Sequence, residues 1–247
     1  MALSDPLFWL IILTSFIATA VSSTFAIGGG FIMIAVLSSV LPISAIVPIH
    51  SILMIGLSIS RTWYFRRHIL WVIVVPFIVG SAIGVSAGAS IYVDLPDAFI
   101  ATAIGALMLA AVWFPAINWR PAIPQPFFWL GIIHSFLSTL FTFGGLFQPL
   151  MVRTRMEKMQ ITATLAAGLL GMNIFKVTGY KTFGFDYSAY ILLACLSILA
   201  SLPGAWMGRH FVQRVPDHMF RFIFKLLITL FAIRLLYHAW DISDFVM

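Results

Sequence analysis

The chain carries eight apolar segments of roughly membrane-spanning length, at 7–27, 44–65, 70–91, 97–115, 127–143, 158–179, 187–209 and 217–239. About 20 apolar residues in a helix cross the hydrocarbon core of a bilayer. Lipid offers the backbone no hydrogen-bond partners, so such segments must satisfy themselves as helices. Of the 247 residues, 62% are hydrophobic and 9% charged, too little charge to coat a soluble domain of this size. No stretch is long and polar enough to form a soluble domain. The expected fold class is an all-α polytopic membrane protein, with eight long helices and two shorter apolar pieces, 30–41 and 145–152, each following a glycine break. These pieces read as half-helices or short spans.

The net charge of +6 is distributed in a pattern. Arg61, Arg66 and Arg67 flank one connection, and Arg120, then Arg153, Arg155 and Lys158, then Arg209 and Arg214 follow in others. The alternate connections carry Asp94 and Asp97, or Lys181 with Asp186, and the tail carries Asp241 and Asp244. Basic connections face the cytoplasm, which places both termini outside. This distribution is that of membrane topology and not of a nucleic-acid-binding face. The first apolar segment is long and lacks a basic n-region, so it is expected to be retained as a helix and not cleaved as a signal peptide. Cys195, the single cysteine, permits no intrachain disulfide and is read as a small packing residue. Arg61 is read as an interfacial anchor in preference to a ligand. Eight tryptophans suit the aromatic belts of a membrane protein; they are compatible with a homodimer without requiring one.

An internal repeat is present. Residues 8–19 read FWLIILTSFIAT and residues 128–139 read FWLGIIHSFLST, so Phe8, Trp9, Ser15 and Phe16 correspond to Phe128, Trp129, Ser135 and Phe136. Each stretch then reaches a glycine break, AIGGGF or TFGGLF, and continues through a short apolar piece into a longer helix that ends near a cation, Arg61 or Lys176. The first repeat occupies 1–118, a linker 119–126 and the second repeat 127–247. Each half has an odd number of segments, so the second enters the membrane from the opposite side, giving an inverted-topology repeat.

Transporters of this architecture bind substrate near the midplane, where broken helices from the two halves meet. Gly28, Gly29 and Gly30, with Gly144 and Gly145, are the matched breaks. A helix that starts after such a break aims unbonded N–H groups and a positive dipole end at whatever lies there, which favours an anion. Close helix packing is the alternative role for the same glycines. Thr24, Thr142, Gln148, Asn173 and Lys176 lie beside the breaks or on one helical face near them and join the candidate binding set. His50 and His134 are either hydrogen-bonded core residues or proton carriers. Acidic residues lie at segment ends, so a cavity between the helices would be positive or neutral. No metal ligand set and no cofactor motif is read.

AIGGGF, the short piece after it and then LPISAIVPIHS, together with FTFGGLFQPLM and QITATLAAGLLGMNIFKVTGY, resemble the TauE/SafE sulfite-exporter family, also called the toluene-sulfonate uptake permeases. The resemblance covers nearly the whole chain. It implies a carrier of the bacterial or archaeal cytoplasmic (inner) membrane for sulfite, sulfonates or other small anions, and it points to Gly28, Gly29, Gly30, Gly144 and Gly145. The second break has two glycines before Leu146 where a third is usual, and the first lacks the proline that Pro149 supplies in the second half. These departures bear on the substrate, not on the fold.

The expected function is a secondary transporter of a small anion, a sulfur oxyanion or organosulfonate, working by alternating access. An anion channel and a non-transporting membrane scaffold are the alternatives. An intramembrane serine enzyme using GSAIGVSAG at 80–88 ranks behind them, because no GxSxG elbow, HExxH helix or paired intramembrane aspartates accompany it.

Overall fold

The computed structural model describes residues 5–25, 28–92, 95–113, 124–142, 147, 151, 156–211, 226 and 229–237. Among them there are helices and turns and no strand. The helices are α1 (Pro6–Phe25), α2 (Gly29–Val40), α3 (Ile43–Phe65), α4 (Trp71–Tyr92), α5 (Asp97–Trp113), α6 (Pro126–Phe141), α7 (Lys158–Thr182) and α8 (Ile191–Phe211). Residues 229–237 are also helical. Five helices are long and apolar enough to cross a membrane, while α2, α5 and α6 are shorter apolar helices. The protein is a multi-pass membrane protein of the all-α class.

Helix directions follow from contacts at their ends. The Leu70 N–H, just beyond α3, donates to Thr164 Oγ1 near the start of α7 at 3.1 Å, and Tyr187, just beyond α7, donates to the Pro48 carbonyl near the start of α3 at 3.5 Å. α3 and α7 are therefore antiparallel. α4 runs parallel to α6, because Gly80 abuts the Phe128 carbonyl and Gly84 the Ile132 carbonyl one turn on. α8 runs parallel to α1, with Gly204 against the Phe16 carbonyl and Gly208 against the Ala20 carbonyl. Trp113 Nε1 donates to Thr229 Oγ1 at 2.9 Å, while Gly105 lies against Leu236, so α5 and residues 229–237 are antiparallel. Since short turns reverse α3 into α4 and α7 into α8, α1, α3, α4 and α5 run opposite to α6, α7, α8 and residues 229–237 respectively.

The two halves are interleaved. α1 packs chiefly on α8, α6 on α4, and α3 on α7. In lipid no hydrophobic drive pulls helices together, so close contact depends on small residues. The glycines of α4 and α8 provide it by seating against neighbouring backbones. Large apolar side chains such as Trp9, Leu13, Trp63, Val72, Trp129 and Trp206 face outward, where lipid replaces water as their surroundings.

Arg66 and Arg67 follow α3 at the end where α7 begins, and Arg209 closes α8, whose partner α1 ends beside it. Asp97 and Asp186 lie at the opposite end, with Tyr92 and Tyr187, which donate to Ser44 and Pro48 at the start of α3. Arg66, Arg67 and Arg209 thus share one face and Asp97 and Asp186 the other, although Glu157 lies on the first and Lys181 on the second. Pro48 inside α3 lacks the N–H that would bond the Ser44 carbonyl; Tyr92 Oη supplies that donor at 3.2 Å.

Two side chains differ from expectation. Arg61 is not an interfacial anchor: it is 2% exposed, among the largest buried side chains. Cys195 is not packed inside but lies exposed on α8. It sits within an apolar run, and in a lipid-facing helix an apolar neighbourhood in sequence says nothing about burial.

Candidate functional site

α2 has 12 residues, about 18 Å of helix, too short to cross a bilayer. Its first residue, Gly29, sits against Ala18 and Ser22 of α1, alongside that helix and not beyond its end. The first glycine break is thus a hairpin whose second arm starts inside the protein. Gly28, at φ 103°, forms the N-cap in a conformation that side-chain-bearing residues rarely adopt. No side chain caps α2. Ile32 N–H bonds the Gly28 carbonyl at 3.1 Å, and the N–H groups of Gly29 and Gly30 precede the intrahelical ladder.

A cavity opens at this terminus. It is lined by Gly30 and Phe31 of α2, His50 and Met54 of α3, His134, Ser138 and the C-capping Thr142 of α6, and Leu169, Met172 and Asn173 of α7. Helices from both halves of the chain contribute. The space in which a water centre fits is about 30 Å³, enough for a small ion or a few waters.

The polar groups around the cavity divide unequally. On the acceptor side, α6 ends here with Thr142 in the left-handed region, at φ 53°. Its last carbonyls are the negative end of a helix dipole, and the protein engages them itself. Ser138 O accepts from the Thr142 N–H at 2.9 Å and from Lys176 Nζ at 2.7 Å, with Ser138 Oγ a further 3.3 Å acceptor of the same ammonium. Tyr180 Oη donates to Thr139 O, and Thr142 Oγ1 to Phe141 O at 2.7 Å. Asn173 Nδ2 donates to Leu169 O at 2.7 Å.

On the donor side, the α2 terminus is uncapped. His50 Nε2 is 3.2 Å from Gly30 O, while its Nδ1 is buried without a partner. His134 is 0% exposed and neither ring nitrogen has a hydrogen-bond partner. Its ring lies against Phe77 and Phe147, at centroid distances of 5.8 and 6.0 Å. Among the described residues no carboxylate lines the cavity.

Of the residues the sequence nominated, Gly30, His50, His134, Thr142 and Asn173 meet at the cavity. Lys176 lies one layer behind, reaching it through Ser138. Gly28 and Gly29 form the turn and its packing. Thr24 lies apart: its hydroxyl is shared between Ala20 O and Gly208 O, at 2.8 and 3.2 Å, in the contact of α1 with α8. Gly144, Gly145 and Gln148 lie outside the described residues. The sequence did not nominate Ser138, Met54 or Met172. Only Ser138 carried a signal, through its spacing of one helical turn from His134 on α6.

The profile of the sulfite exporter TauE/SafE family matches residues 11–235. The chain belongs to that family. The match spans both repeats and every cavity-lining helix. It makes the chain a member of a membrane-transporter family, which accords with a non-enzymatic role. No curated protein and no solved structure matched the chain.

Proposed function

We propose that this TauE/SafE member is a secondary carrier of a small sulfur oxyanion, sulfite first among the candidates, with small organosulfonates next. One observation carries the reading: at a cavity built by both halves of the chain, α6 carbonyls are engaged by protein donors, whereas the N–H groups of Gly29 and Gly30 precede the helical ladder with no side-chain cap and His134 has no hydrogen-bond partner. An anion offers acceptor oxygens and negative charge, and so matches an uncapped helix start. In this reading the N–H groups of Gly29 and Gly30 meet the oxygens, His134 and His50 approach from the sides, and Asn173 and Thr142 border the space. The small volume favours sulfite over a large sulfonate.

Transport would proceed by rocking of one repeat-related bundle against the other around this site. With the basic face cytoplasmic, the protein sits in a cytoplasmic membrane with both termini outside. Export of a monovalent anion would then be favoured by roughly 2.3 kcal/mol per 100 mV of negative-inside potential.

Counterflow in proteoliposomes tests the proposal. Vesicles preloaded with sulfite should take up labelled sulfite saturably, and Gly30→Ala should abolish uptake in a folded protein. Flux that never saturates would indicate a channel, and absence of flux for sulfite, thiosulfate and small sulfonates would end the carrier reading.

A further inference from the structure

The cavity-lining face of α3 continues past the cavity. His50 and Met54 line it, and at 100° per residue Ser58 and Arg61 fall within the same 80° arc, four and seven residues beyond Met54. Arg61 lies about 10 Å farther along the axis, toward the basic face. α7 carries the counterpart: Asn173 lines the cavity, and Lys176 lies one turn beyond it, toward the opposite face because the two helices are antiparallel. One buried cation from each repeat thus flanks the cavity, on opposite sides. Lys176 is held by Ser138 at the carbonyl end of α6.

Ser58 marks the Arg61 side as unusual. Its neighbours Ser51 and Ser60 on α3 return their hydroxyls to carbonyls one turn back, at 2.8 and 2.9 Å. Ser58 is 0% exposed and its hydroxyl has no hydrogen-bond partner. A buried hydroxyl left unbonded is unfavourable unless something meets it. Arg61, three residues on along the same helix face, has five donors in a fork that suits oxyanions and can hold a neighbour while meeting another.

The geometry points to a second anion station at Ser58 and Arg61, between the cavity and the basic face, which receives the transported anion before or after it occupies the cavity. This assignment rests on the carrier reading for the anion's identity, but its test does not need flux. In a Cys195→Ser background, which removes the only thiol, Ser58→Cys is exposed from the basic face to anionic sulfonatoethyl and cationic trimethylammonioethyl methanethiosulfonates, with sulfite on both sides of the membrane. Each rate is normalised to that reagent's rate with a free thiol. The anionic reagent should react at least tenfold faster, and Arg61→Gln should remove the preference while Arg61→Lys retains part of it. Equal rates, a preference indifferent to Arg61→Gln, or no reaction with either reagent would overturn the station. If Arg61→Gln does not fold, the comparison of the two reagents with Arg61 in place still decides. Failure of sulfite counterflow in the parent protein would instead count against the carrier reading alone.

Discussion

Lys176 Nζ lies 2.7 Å from the Ser138 carbonyl oxygen, so a fully buried ammonium closes the negative end of α6 where that helix meets the cavity. Among the described residues no carboxylate is recorded in ion-pair contact with it. Lys176→Met keeps most of the side-chain length, removes the cost of burying a charge and leaves Ser138 O bonded to the Thr142 N–H. Its effect on unfolding free energy should stay within about 2 kcal/mol in either direction. Transport should fall about tenfold or more, because Ser138 and the α6 carbonyls lose the group that holds and neutralises them. Thermal unfolding in detergent beside initial flux measures both.

Adjacent glycines should separate packing from function. A β-carbon at Gly29 collides with Ser22 Oγ and with the Ala18 carbonyl, which cannot move aside independently of its helix. At Gly30 the nearest atoms are Met54 Cε at 3.6 Å and His50 Nε2 at 3.8 Å, ordinary contact distances. Gly29→Ala should destabilise the protein by about 1–3 kcal/mol. Gly30→Ala should fold with near-normal stability yet lose flux, since its methyl enters the cavity. Equal melting temperatures for the two variants would contradict this assignment.

His134 leaves two ring nitrogens unbonded in the interior. A residue kept for stability alone would not do so, since each unmet polar atom is unfavourable. His134→Leu should therefore melt at the same temperature as the parent or higher, and exchange should fall. A fall in stability with exchange intact would return His134 to a packing role against Phe77 and Phe147.

The interleaving of the halves makes a paired prediction. Gly84→Leu drives a side chain into the Ile132 carbonyl, and Gly208→Leu into that of Ala20. Both should lower the yield of monodisperse protein, although they lie in different repeats. Leu at Gly184, where no atom lies within 4 Å of a β-carbon, should cost only the strain of its positive φ, about 1–2 kcal/mol.

Much of this site was readable because polar residues are rare inside apolar helices. Gly30, His50, His134, Thr142 and Asn173 stood out against their neighbours, and the repeat indicated which of them to compare. Thr24 stood out equally but joins a helix contact. A hydroxyl that bonds back to its own helix carries no mark of that in sequence, and Ser15, Thr19 and Ser51 do the same. Met54 and Met172 were hidden because a methionine at a cavity wall matches one in a core. Arg61 was misread from its place near the end of an apolar run, where snorkelling to the interface is the common outcome. The packing of α1 on α8 and of α4 on α6 was not legible at all, since helices apolar on every face do not reveal which face meets a partner.

The central claim is that the uncapped start of α2 and His134 together hold the transported anion. Crystals or grids of the protein with selenite, after confirming that selenite competes for sulfite exchange, allow the anion to be located directly, by anomalous scattering in the crystalline case. Selenium is expected in the cavity, its oxygens within hydrogen-bond distance of the Gly29 and Gly30 N–H groups and beside the His134 ring. Selenium bound elsewhere, with this cavity empty in a protein that exchanges the anion, would contradict it.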